Sequence, residues 1–235
     1  MTRGTLWVVL RIDHIALGVQ NLFEGAERLR AETGFGDAEG GWFPGIGAAN
    51  RIVPLGSRQY LEVESVVDAF AVERTAGGRW FRDQLRAGDV FLGWCAGVDD
   101  REELDGYAEW FGAPVDETAT RVNADGSVRG SPRVPSAPDA WRRGLPNVFR
   151  MDPATHPAGS DVRHTREPGG IAWMEVGGAE RDMRAWLGSG VDDLPLRFNH
   201  RPHGVYAVAV HIADEDGASR ELVVRRRPVL LGSDA

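Results

Sequence analysis

Polar and apolar residues alternate through RIDHIALGV, residues 11–19, as they do in a strand with one buried face. Asn21 then stands where a helix cap belongs, and LFEGAERLRAETGF carries apolar positions at helical spacing. GGWFPGIG reads as a glycine-rich turn, and ANRIVPLG and QYLEVESV as two strands joined at Gly56-Ser57. That order is β-α-β-β, with room for one more strand around Trp42. A second pass follows the amphipathic RWFRDQLRAG at 79–88. DVFLGWCAGV is a strand, Asp99 or Asp100 caps the helix REELDGYAEWFG, and TRVNADGSVRG is a hairpin about Asp125-Gly126. A proline-rich loop, SPRVPSAP, leads to the strand LPNVFRM. The third pass is GGIAWMEV, the helix GAERDMRAWLG, and the strands PLRFNH, VYAVAVHI and RELVVRR.

Three passes of one order predict an α+β fold of repeated βαβββ modules, with curved mixed sheets enclosing a cleft. The expected modules are 1–78, 79–168 (with the proline-rich loop) and 169–235, forming one compact unit. Two modules side by side make the cleft; the third packs outside it or against another subunit, so a homodimer is expected.

Composition narrows the chemistry. The 235 residues are 42% hydrophobic and 26% charged, with a net charge of −8 and no Lys. That balance argues against nucleic acid, which needs a basic stripe; Arg225-Arg226-Arg227 reads as the solvated end of a last strand. The single Cys95 excludes a disulfide framework and fits a reducing compartment. LWVVL at 6–10 is too short for a signal peptide, and no run of eighteen apolar residues could span a membrane, so a cytoplasmic protein is expected. GIGAAN lacks the third glycine of a nucleotide fingerprint and leads into a strand, so no nucleotide cofactor is expected; no GxSxG nucleophile elbow is present.

IDHIALGVQNL, the helix ending in TGF, GGWFPGIGAANRIVPLGSRQYLEVESV, NADGSV, GLPNVFRMD with His156-Pro157, and GGIAWMEVGG follow one another in an order that resembles the glyoxalase-like domain of the vicinal oxygen chelate superfamily. The likeness covers roughly residues 11–225. It implies a divalent metal (Zn, Fe, Mn, Ni or Mg) held by a His on the first strand of a module and a Glu on its last, positions occupied here by His14 and Glu62. It also implies a His-Pro in the glycine-rich turn, where this chain has Phe43-Pro44, and a second Glu where NVFRM has Arg150. The first strands of the later modules bring no His. Two or three ligands of the expected set survive, with Glu64 the convenient extra, so the metal is an open expectation.

Strand alternation supports the site independently of the likeness. Ile12, His14 and Ala16 share one face, and so do Tyr60, Glu62 and Glu64, while Leu61 and Val63 pack under the helix. Glu62 and Glu64 stand about 7 Å apart by strand rise. Repulsion in a partly dry cleft raises the pKa of one of them, which gives an acid–base site without metal. His14 then donates or shuttles the proton, and Arg150 holds an anionic or enolate oxygen. Phe43, Tyr60, Trp42, Trp94, Trp173 and His156 are the expected substrate contacts, suited to a flat organic molecule.

Plainer roles stay open. They are His14 as a hydrogen-bonded core residue, Glu64 facing solvent, and Arg150 only neutralising Asp152. Cys95 reads as a small core residue with no His nearby, His200 and His203 as solvated loop residues, and His211 as facing any cleft of the third module. Two functions follow. One is a lyase, isomerase or cyclase acting on a carbonyl-bearing small molecule; the other is a metal-free binding protein of the sequestering kind that the same superfamily contains.

Overall fold

The computed structural model describes residues 9–56, 58–117, 120–213 and 218–231. Ser57 of the expected turn and residues 6–8 lie outside them. The first pass gives β1 (Arg11–Gly18), α1 (Leu22–Thr33), β2 (Ala38–Phe43), β3 (Ala48–Gly56) and β4 (Gln59–Val66). The α2 (Ala69–Glu73) and α3 (Ala76–Leu85) helices lead to β5 (Val90–Gly97) and α4 (Arg101–Phe111). Then come β6 (Thr120–Asn123), β7 (Val128–Gly130), β8 (Arg133–Val134), α5 (Ala137–Trp141) and β9 (Asn147–Phe149). Last are β10 (Pro168–Val176), α6 (Glu180–Leu187), β11 (Leu196–Phe198), β12 (Val205–Ala213), β13 (Ser219–Arg225) and β14 (Arg227–Pro228).

Caps place the helices. The Asn21 side chain accepts from the Phe23 and Glu24 amides, and Gly34 closes α1 at φ 82°, a left-handed turn that glycine enters without a Cβ penalty. Asp100 and Glu103 form a reciprocal capping box at the start of α4. The stretch read as a proline-rich loop is instead partly ordered: β8 pairs with β9, and Ser136-Ala137-Pro138 opens α5, where proline suits a first turn.

Ten strands form one sheet in the order β7-β6-β2-β3-β4-β1-β5-β9-β8, with β14 alongside β5. It is a mixed, curled half-barrel of α+β type, in which β1 runs parallel to β4 and antiparallel to β5. One face buries Ile15, Leu17, Leu61 and Val63 against Leu22, Ala26 and Leu29 of α1. Each such side chain contributes about 1.5–3 kcal/mol on burial. β10 to β13 make a separate four-stranded sheet, and its Met174, Val176, Val208 and Val210 join the same core. The β6–β7 hairpin reaches back to pair with β2, which carries residues of the second pass across the mouth of the first. No helix among the described residues is long and apolar enough to cross a membrane.

Candidate active site

The other face of the half-barrel is hollow. β1 and β4 floor a cavity of about 320 Å³, α3 and α5 cover it, and β6 and β8 close one side. His14, Tyr60, Glu62 and Glu64 line it as alternation along β4 predicts. Its walls are aromatic, from Phe43, Trp80, Phe81, Trp141 and Phe149. Gly93 on β5 makes room for one wall, because a Cβ there would run into the Trp141 indole.

His14 is 2% exposed and held on all sides. Its ring stacks on Tyr60 with centroids 4.7 Å apart, and Phe149 meets it edge-on at 5.0 Å. Nδ1 lies 2.9 Å from Asp13 Oδ1, and Nε2 lies 3.5 Å from Glu62 Oε2. A break in strand register between Ile12 and His14 puts Asp13 where it can reach its neighbour's ring; it also moves Ile12 into the main core, off the face it was expected to share with His14. Burial opposes charge on His14, but Cys95, Asp13 and Glu62 outweigh it and hold the imidazolium pKa well above its ordinary value. Asp13 is fully buried. Desolvation alone would raise its carboxyl, yet hydrogen bonds from His14 and His156 win and hold it at about 2.

The two cleft glutamates differ in their partners. Glu62 Oε1 accepts from Asn50 Nδ2, and Asn50 Oδ1 in turn accepts from the Gly41 amide at 2.6 Å. Glu64, 6% exposed, has its pKa pushed well up by burial and by the neighbouring Glu62. One buried carboxyl thus has its proton favoured beside another that accepts hydrogen bonds.

Several expected site residues stand elsewhere. Arg150 lines a second hollow of about 250 Å³ with Arg129 and Asp152, because Phe149 and Met151, one residue to either side, take the cleft-facing positions. The cleft arginines are Arg121 and Arg133, which the sequence reading passed over. Trp42 is 41% exposed and points away from the cavity that its neighbour Phe43 lines. Trp94 lies in the main core, on the opposite face of β5 from Cys95. Trp173 belongs to the small sheet, where Arg197 lies 3.9 Å over its ring. His156 does not rim the cleft; it sits behind Tyr60, with Nε2 3.1 Å from Asp13 Oδ2. Cys95 has a His beside it after all, since it pairs with His14 across the β1–β5 ladder, and its Sγ donates to Asn147 Oδ1. His200 is exposed in a loop, His203 lies 3.9 Å from Asp182, and His211 is exposed beside Ser219, away from the cavity.

The donors do not suit a chelated metal. His14 Nδ1 is engaged by Asp13 and Glu62 Oε1 by Asn50. No group of three or more His, Cys, Asp or Glu side chains among the described residues is placed to hold an ion. His14 Nε2 and Glu62 Oε2 alone fall short of the three protein ligands of a catalytic zinc or iron site.

A family model described as a glyoxalase-like domain matches residues 12–190. Among curated proteins, none matches the sequence. Among solved structures, a hypothetical protein from Staphylococcus aureus is 11% identical over 91% of this chain and 98% of its own, with a TM-score of 0.57. Methylmalonyl-CoA epimerase from Mycobacterium tuberculosis is 13% identical over 66% of this chain and 97% of its own, at a TM-score of 0.46. A variant of the Streptomyces coelicolor epimerase, in complex with 2-nitronate-propionyl-CoA, is 19% identical over 61% of this chain and 98% of its own, at 0.44.

Proposed function

The chain belongs to the glyoxalase-like domain family of the vicinal oxygen chelate superfamily, and we propose that it is an enzyme moving a proton at a carbon beside a carbonyl group, in isomerase, lyase or cyclisation chemistry on a small organic molecule. One observation carries this reading: Glu62 and Glu64 line one largely aromatic hollow with His14, where burial and the neighbouring Glu62 raise the Glu64 pKa and Glu62 accepts from Asn50.

Such a set divides the labour. Glu62, steadied by Asn50, takes the proton from carbon; the electron pair left behind moves onto the carbonyl oxygen. The neutral Glu64 carboxyl donates a hydrogen bond to that enolate oxygen, which is worth most where water is excluded. His14, cationic between Asp13 and Glu62, returns a proton to carbon or to the departing group. A cavity of this size with a few convergent polar groups fits a small ligand.

The aromatic walls and the short ligand set favour a second reading, a binding protein that sequesters a flat molecule without converting it. Proton NMR in D₂O with a series of 2-oxo and 3-oxo acids separates the two. Exchange of the carbon-bound hydrogen by the wild type and not by Glu62→Gln supports the enzyme. Equal exchange by both removes Glu62 from the chemistry, and tight binding without exchange supports sequestration.

A further inference from the structure

We propose that the cleft recognises a carboxylate on its ligand through Arg121 and Arg133, so that the substrate is an organic acid. The proposal rests on the acid–base reading above and names the substrate class of that same site. Both arginines line the hollow that holds Glu62 and Glu64, and Arg121 is only 8% exposed. A buried cation is ordinarily matched by a carboxylate. The carboxyl on which Arg133 acts is Glu64, across the same cleft, and that is the carboxyl whose pKa burial raises.

What the protein supplies besides is aim. Arg121 Nε donates to Asn123 Oδ1 at 3.1 Å, and Arg133 Nε donates to the Ser131 carbonyl at 3.1 Å. Each anchor uses the inner nitrogen of the fork and leaves the terminal nitrogens for a ligand, the arrangement that suits two-point recognition of a planar carboxylate. Arg133 also lies 5.3 Å over the Phe149 ring, which in turn meets the His14 ring edge-on, so this cation is fixed one side chain away from the proposed acid–base set. Room for the Arg121 stem is built in: a Cβ at Gly41 would collide with its Cγ and Cδ. The same Gly41 amide holds the Asn50–Glu62 chain, so one glycine positions both the cation and the base. A planar acid in a mostly aromatic hollow needs one such charged anchor and little else.

Calorimetric titration with benzoate, benzamide and inorganic phosphate tests the assignment. Benzoate is expected to bind at least about tenfold more tightly than benzamide, and Arg121→Gln and Arg133→Gln are each expected to weaken benzoate by at least about tenfold while leaving benzamide unchanged. Arg133 is partly exposed, so its variant keeps the comparison open if the Arg121 variant is poorly folded. Equal affinity for the acid and the amide, or benzoate affinity unmoved in the Arg133 variant, overturns the proposal. Phosphate binding more tightly than benzoate overturns the carboxylate assignment. In the wild type, acid binding with no proton exchange would fail the enzyme reading alone, and exchange without preference for the acid would fail this one alone.

Discussion

Asp13 Oδ1 accepts a hydrogen bond from His14 Nδ1 at 2.9 Å, although the two residues are neighbours on one strand. The register break beside them makes this possible, and His156 takes the other carboxylate oxygen at 3.1 Å. The Ala158 amide donates to His156 Nδ1, so the His156 proton sits on Nε2 and points at Asp13. Asp13 is therefore an acceptor on both sides and keeps a proton on His14 Nδ1.

Asp13→Asn is predicted to strip that proton. The single amide oxygen is claimed by His156, which leaves the amide N–H₂ facing His14 Nδ1 and leaves the ring neutral, with its one proton on Nε2. Nitrogen-15 spectra of the histidine rings read this directly. A His14 Nδ1 that stays protonated in the variant contradicts the arrangement.

Asp13 also sets an acid limit to stability. Its carboxyl is held at about 2 against an ordinary 3.8, so its contribution is complete above the ordinary value and is lost as pH falls through the lower one. The amount is about 2 kcal/mol. Melting curves from about pH 4 down to about pH 2 should fall more steeply for the wild type than for Asp13→Asn; parallel curves would remove Asp13 as the cause.

Glu64→Gln should show the opposite sign. A carboxyl raised in the fold ionises more readily in the unfolded chain, so the wild type loses stability as pH rises above the ordinary 4.5. Glutamine mimics the neutral acid and lacks this loss. Its melting temperature relative to wild type should climb from mildly acidic to mildly alkaline buffer, and a constant difference would count against a neutral Glu64.

Gly93→Ala places a methyl against the Trp141 ring and must push that wall into the hollow. A cost of about 1–3 kcal/mol in stability is expected from overpacking, with weakened benzoate binding. Unchanged stability and unchanged binding would mean that Trp141 does not rest on β5 as described.

Arg150→Gln is predicted to leave benzoate affinity where it was, since Arg150 opens onto the second hollow. Loss of affinity matching that of the Arg121 or Arg133 variants would return Arg150 to the site.

What the sequence made legible was periodic or capped. The strands QYLEVESV and RIDHIALGV, the Asn21 cap and the shared face of Tyr60, Glu62 and Glu64 follow from two-residue alternation and local hydrogen bonding. What stayed hidden depends on long-range pairing. Arg121 and Arg133 reach the cleft because the β6–β7 hairpin pairs with β2 and β8 with β9, contacts that leave no period in the sequence. Arg150 went astray by a single position, which in a strand is the difference between one face and the other. Trp80 and Phe81, in the amphipathic RWFRDQLRAG that forms much of α3, line the cavity, a role that helical spacing alone does not mark.

Carbon-13 titration of the glutamate side-chain carboxyls, in the wild type and in Glu62→Gln, tests the central claim most directly. The account predicts a Glu64 carboxyl that is still protonated near neutral pH in the wild type and that ionises at lower pH once the Glu62 charge is gone. A Glu64 ionised in the ordinary carboxylate range, and titrating identically in both proteins, would contradict it.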